Sequence, residues 1–166
     1  MALLIKNGLV VTMNPQREVL SADIYIEQDR ITAIEPDSGL AAETVIDAAG
    51  KLVIPGLVQT HVHLCQALFR GMADDMELLD WLMKRIWPLE GSHDEDSLYY
   101  SALLGCAELL RGGTTGIVDM GTVNHTEAIF QAVEKAGIRY LGGKCLMDCG
   151  QEVPKNLVDD SRRAID

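Results

Sequence analysis

Past Pro55 the chain alternates strand, helix, strand, helix, strand, and this rhythm restricts the possible folds more than any other feature of the sequence. The apolar run Leu52-Val53-Ile54-Pro55-Gly56-Leu57-Val58-Gln59-Thr60 reads as a buried strand ending in His61-Val62-His63. Leu78, Leu79, Leu82 and Ile86, with Trp81 beside them, place an apolar stripe on a helix that Pro88 is expected to end. Ser92-His93-Asp94-Glu95 reads as a capping box opening a helix over 95–111, whose apolar positions recur at i, i+3 and i+4 until Gly112-Gly113 stops it. A buried strand over 114–120 follows. Asn124-His125-Thr126-Glu127 reads as a second cap, its helix runs to Lys135, Gly137 terminates it, and 138–144 forms a third strand. Pro154 to Asp166 begins another helix. Such alternation is the grammar of a parallel sheet with right-handed crossovers. A (β/α)8 TIM barrel takes roughly 250 residues, so residues 56–166 are expected to be the first three β/α units of a truncated barrel.

The first 55 residues follow another pattern. Residues 3–13 read as a strand pair broken at Asn7-Gly8, a strong turn dipeptide. Ala22 to Glu27 and Ile31 to Ile34 form a hairpin around Gln28-Asp29-Arg30, and Thr44 to Asp47 and Leu52 to Ile54 flank a turn at Ala49-Gly50. This part is therefore all-β, and the fold class is α/β with a small β domain ahead of the barrel units.

Composition narrows the partners. A net charge of −11 and a pI near 4.7 disfavour a general nucleic-acid binder, which needs basic surface against phosphates. A small-molecule substrate is expected instead. The apolar stretch at residues 1–8 is too short for a signal peptide, and no window approaches the ~18–20 apolar residues of a membrane span, so the cytoplasm is the default location. Cys65, Cys106, Cys145 and Cys149 lack CxxC spacing and read as reduced structural thiols, with Cys65 set apart because it shares the face of His63 if the strand continues.

Two histidines at i and i+2 of a strand point to one face, with Cα atoms roughly 6.5–7 Å apart, and can lean onto one ion. His61 and His63 are accordingly the candidate metal ligands. Catalytic zinc usually takes three protein ligands and an open position, and no nearby residue completes the set: His93 and His125 sit near helix N-termini in polar contexts and read as solvated. Asp119, at the end of the second barrel-type strand, is a ligand, an orienter or a turn cap. A cupin also uses His-x-His, but it requires continued short strands where this sequence turns helical. Trp81 and Trp87 read as core residues or as walls for a planar ring. Glu90 reads as exposed, or as a carboxylate placed to accept hydroxyl hydrogen bonds. Asp74-Asp75 is a loop or helix cap.

Pro55 to His63, Leu68-Phe69-Arg70-Gly71-Met72-Ala73-Asp74-Asp75, Asp80-Trp81-Leu82 and Ile86-Trp87-Pro88-Leu89-Glu90 together resemble the amidohydrolase superfamily. Within it the similarity is to the aminohydrolase branch that holds deaminases of 5′-methylthioadenosine, S-adenosylhomocysteine and 5′-deoxyadenosine, guanine deaminase and the triazine chlorohydrolases. The resemblance implies a metal-bearing barrel plus a β-sandwich built from both chain ends, so that residues 1–55 form a sandwich part completed from elsewhere. It implies His61 and His63 as the first two ligands of one divalent ion per subunit, zinc by expectation. The further ligands and the proton-transfer residues belong to later strands, which leaves the catalytic residues unassigned. Glu90 matches the position that binds ribose hydroxyls in the nucleoside deaminases, and Trp81 and Trp87 match lid positions around the substrate. Gln66 and Lys144 stand where the methylthioadenosine enzymes commonly differ, and Gln66 resembles oxopurine or triazine relatives whose substrates carry a ring acceptor.

The implied activity is hydrolytic deamination of an adenosine-type nucleoside: a metal brings the pKa of water toward ~7, hydroxide adds to the amino-bearing ring carbon, and ammonia leaves. Guanine or another oxopurine deamination, or triazine dechlorination, is the rival within enzymes. A non-catalytic fragment, or a subunit completed by a second chain, is the rival of another class. The branch commonly forms homo-oligomers.

Overall fold

The computed structural model describes residues 1–148, 150 and 152–159, and the chain divides into two compact units, Met1–Pro55 and Gly56–Asp166. In the first unit, strands β1 (Ala2–Val11), β2 (Val19–Glu27), β3 (Arg30–Glu35), β4 (Thr44–Asp47) and β5 (Leu52–Val53) make one sheet in the order β3-β2-β1-β4, with β5 also on β1. The β1–β2 and β2–β3 pairs are antiparallel, whereas β4 and β5 lie parallel to β1. Val10, Ala22 and Ile24 form its core.

Asn7-Gly8 does not reverse the chain as the dipeptide suggests. β1 runs through it as one strand with a bulge between Ile5 and Gly8. Asn7 takes a left-handed φ of 62°, its backbone N–H donates to the buried carboxylate of Asp23 at 2.9 Å, and its side-chain amide donates to Asp47 at 3.0 Å. Those acceptors satisfy the groups that a bulge frees from the ladder, so the strand kinks and continues. The kink also separates β1's two parallel partners, with β4 alongside Leu3 to Lys6 and β5 alongside Leu9 and Val10.

The second unit carries the parallel sheet β6 (Leu57–Val62), β7 (Thr114–Asp119) and β8 (Arg139–Leu141), in that order. Helices α3 (Glu95–Arg111) and α4 (Thr126–Ala136) pack on each other and on the sheet around Leu98, Ala102, Cys106, Ile117, Ile129 and Ile138. Between β6 and α3 lie a 3-10 turn (Leu64–Phe69), α1 (Leu78–Trp81), a π-helical turn (Leu82–Ile86) and α2 (Trp87–Glu90). The architecture is the mixed α/β arrangement that the alternation beyond Pro55 predicts, parallel strands joined by helical crossovers. No helix among the described residues is long and apolar enough to cross a membrane.

Several boundaries differ from expectation. Pro88 does not end its helix: the wider π turn lets Trp87 N–H bond Leu82 O, five residues back, and Pro88 then sits in the first turn of α2, where a missing N–H costs nothing. The expected apolar stripe is only half buried, because Leu78 and Leu79 are each 65% exposed while Ile86 is buried. The N-cap of α3 is Asp94, which accepts from Ser97 N–H at 2.8 Å while its own N–H donates to Ser97 Oγ at 3.0 Å, so the box begins two residues later than the sequence suggests. His125 precedes α4 in the left-handed region without capping it through its side chain. The third strand shortens to Arg139–Leu141, and Lys144 makes only an isolated bridge to Thr122. After Pro154 the described residues form one 3-10 turn, Lys155–Leu157, and the rest of the expected helix lies outside the described residues.

Candidate metal and substrate site

β6 delivers His61 and His63 side by side. His61 is the penultimate residue of the strand and His63 is the first residue beyond it, at the mouth of the 3-10 turn. Their rings meet edge to face with centroids 4.9 Å apart, and the two Nε2 atoms lie 3.1 Å from each other. Two nitrogens bound to one zinc at about 2.0–2.1 Å in tetrahedral geometry stand about 3.3 Å apart. The pair therefore fits a shared divalent ion. His63 is half-buried, and burial first, then the neighbouring His61, hold its pKa below the ordinary histidine value, against the opposing pull of Glu90 and Asp119. A ring kept neutral has a lone pair for a metal.

The turn after the strand brings two more groups into play. Cys65 does not continue the strand face of His63, because the chain has already coiled into the 3-10 turn and its thiol is fully buried. Cys65 Sγ lies 3.3 Å from Glu90 Oε1 and 3.6 Å from Gly121 O. Gln66 Nε2 donates to Glu90 Oε1 at 2.8 Å and stands 3.3 Å from His63 Nδ1. Burial, then the Glu90 carboxylate, push the Cys65 thiol well above its usual range, so it is a protonated donor to Glu90. The ligating atoms of His63, Cys65 and Glu90 lie within 4.8 Å of one another, so this trio is a second grouping of possible ligands that shares His63 with the histidine pair.

A cavity of about 160 Å³ opens at this point, lined by His63, Gln66, Trp87 and Glu90 together with Met120, Cys145 and Met147. Both histidines also border an open groove of about 390 Å³ along β6 with Gln59 and Thr114. Of the residues singled out in the sequence, the structure thus brings together His61, His63, Gln66, Trp87 and Glu90. Trp81 is half-buried outside the cavity lining. Lys144 does not line it either: its ammonium is held by Val123 O and by Asp159 at 2.6 Å.

Asp119 is the turn cap of the alternatives open in the sequence. It accepts from Leu64 N–H at 2.8 Å, Gly121 N–H at 3.2 Å and Tyr140 O–H at 3.1 Å. Burial raises its pKa against those three hydrogen bonds. His93 is not the solvated residue its polar context suggests. It stacks on Phe69 with centroids 5.0 Å apart, donates from Nε2 to Cys65 O at 2.8 Å, and meets Ser97 Oγ through Nδ1 at 3.0 Å. Ser101, which sequence reasoning passed over, is fully buried and donates to Leu64 O at 2.9 Å. The one available signal was its place on the apolar stripe of α3, where a small hydroxyl needs a partner. His125 stays partly exposed, 3.7 Å from Glu95.

The amidohydrolase family profile matches residues 52–166, which span the histidine strand, the turn, both long helices and the second and third parallel strands. The chain belongs to the amidohydrolase family. Among relatives of this amidohydrolase, the 5-methylthioadenosine/S-adenosylhomocysteine deaminase of Thermococcus sibiricus is 38% identical over 157 residues, covering 95% of this chain and 36% of that protein. The 5′-deoxyadenosine deaminase of Methanosarcina mazei is 43% identical over 138 residues, covering 82% of this chain and 32% of its own length. A crystal structure of an adenosine deaminase from Xanthomonas campestris with bound zinc superposes with a TM-score of 0.84 at 28% identity, over 98% of this chain and 37% of that one. The chain spans about a third of the length of the curated relatives it matches.

Proposed function

We propose that this chain supplies the first metal strand and part of the nucleoside pocket of a metal-dependent deaminase acting on an adenosine-type nucleoside such as 5′-deoxyadenosine, 5′-methylthioadenosine or S-adenosylhomocysteine. The observation that carries the reading is the 3.1 Å approach of His61 and His63 Nε2, with Glu90 lining a small cavity together with His63, Met120 and Cys145. The names of the relatives support the substrate class.

In this reading His61 and His63 hold one divalent ion, zinc, and the remaining ligands and proton-transfer groups come from strands beyond the described residues. When bound, the ion supplies Lewis acidity and a water that is acidic near neutral pH. The chain's own residues bind and orient. Glu90 accepts hydroxyl hydrogen bonds from the ribose, and the indole of Trp87 forms an apolar wall of the pocket. Trp81 and Lys144, as the structure has them, would reach a substrate only if the lid segment or the Lys144–Asp159 pair moved. The five-stranded sheet of residues 1–55 is proposed as one part of a β-sandwich, and the assembled protein as a cytoplasmic homo-oligomer.

Two measurements test this. Competition of the purified chain with a chromogenic chelator should show zinc binding that His61→Ala and His63→Ala each weaken by about tenfold or more. An ammonia-release panel on the protein that carries this chain, with 5′-deoxyadenosine, methylthioadenosine, S-adenosylhomocysteine, guanine and a chlorotriazine, should favour the nucleosides. Turnover of guanine or the triazine alone would replace the substrate assignment, and absence of any turnover with zinc bound would leave a non-catalytic piece.

A further inference from the structure

Glu90 carries two hydrogen-bond donors on a single oxygen, and both come from adjacent residues of the turn that follows the histidine strand. Gln66 Nε2 reaches Oε1 at 2.8 Å and Cys65 Sγ reaches it at 3.3 Å. Oε2 makes no hydrogen bond among the described residues, although Glu90 is half-buried and lines the cavity. The backbone that presents the two donors is itself fixed at three points. Asp119 accepts from Leu64 N–H, Ser101 donates to Leu64 O, and His93 donates to Cys65 O, at 2.8, 2.9 and 2.8 Å. These anchors belong to β7, to α3 and to the residue just before the α3 cap, so the turn cannot swing without breaking bonds to all of them. The donors are therefore preorganised, and the carboxylate follows them.

We infer that Gln66 and Cys65 are positioning residues that hold Glu90 Oε1 and so commit Oε2 to the vicinal diol of the substrate's sugar. A carboxylate with one oxygen saturated and the other free of partners in a half-buried cavity asks for O–H donors, and two hydroxyls on adjacent carbons supply them without an added charge. The inference rests on the reading of Glu90 as the hydroxyl-binding group. It also reassigns Gln66, whose amide is used inside the protein and not on a ring acceptor of the substrate.

The test compares kcat/KM for 5′-deoxyadenosine with that for its 2′,3′-dideoxy counterpart, on the enzyme that carries this chain, with zinc content measured for every variant. Wild type should prefer the diol substrate. Gln66→Met removes the donor at similar length and should lower that preference about tenfold, the size of one hydrogen bond to a charged group, through KM more than kcat and with zinc content retained. Cys65→Ala should lower it less, and Cys65→Ser, which restores a donor, should bring it back. If Gln66→Met is not recovered folded, Gln66→Asn, one carbon shorter, carries the same ratio. A preference that survives the loss of the Gln66 donor overturns the inference, as does an equal loss on both substrates, which marks a merely structural role. Turnover without any preference in wild type removes the hydroxyl-binding reading of Glu90 and this inference with it. Absence of turnover on both substrates removes the deaminase reading itself.

Discussion

His93 shows how a single side chain can matter to a site it does not enter. Its ring bridges Phe69, the Cys65 carbonyl and Ser97, so His93→Ala should cost about 1–2 kcal/mol in urea denaturation through the lost hydrogen bonds and stacking. Two of its three partners, Cys65 and Phe69, lie 28 and 24 positions back along the chain, which is why local context gave no hint of them. His61 and His63 were legible because alternation along a strand is a local rule, whereas the fate of Cys65 depended on where the strand stopped. His63 also sets a pH dependence. Its pKa in the fold lies below the reference 6.5, chiefly through burial, so the unfolded chain binds more protons in that window and metal-free stability should fall as pH drops below about 6.5. Comparing wild type with His63→Gln at pH 7.5 and 5.5 checks this. The wild-type stability should decline more between the two, and an equal decline would contradict the assignment.

At the scale of elements, the junction between β6 and β7 is closed by Gly56, where an added Cβ would stand 2.1 Å from Thr115 Oγ1. Gly56→Ala should destabilise the chain by about 1–3 kcal/mol, and Thr115→Gly should recover part of the loss in a double-mutant cycle. The elements themselves were largely readable, because α3 and α4 show helical periodicity between Gly and cap signals and β7 is a β-branched run. Two departures had causes that no local pattern carries. The bulge at Asn7 depends on acceptors from Asp23 and Asp47, distant in sequence. The helix through Pro88 depends on a π turn, whose extra residue shifts the hydrogen-bond register so that proline falls in a first turn. That shift also places Glu90 at the end of α2, where it meets Gln66.

For the molecule as a whole, the alternation beyond Pro55 was enough to foresee a parallel α/β sheet, but not how much of its surface faces water. Leu57 and Val58 of β6 are 50% and 68% exposed, and Leu141 of β8 is 67% exposed. Apolar side chains on parallel strands are normally covered, so the isolated 166-residue chain should self-associate with rising concentration, and Val58→Lys should suppress this in light scattering. An unchanged scattering profile would count against the exposed strands as the cause. The sealed Cys65 thiol has a practical corollary. Alkylating reagents can reach it only during transient opening of the turn, so the rate at which it gains mass, set against the more accessible Cys145, is an intrinsic clock for how often the pocket comes apart.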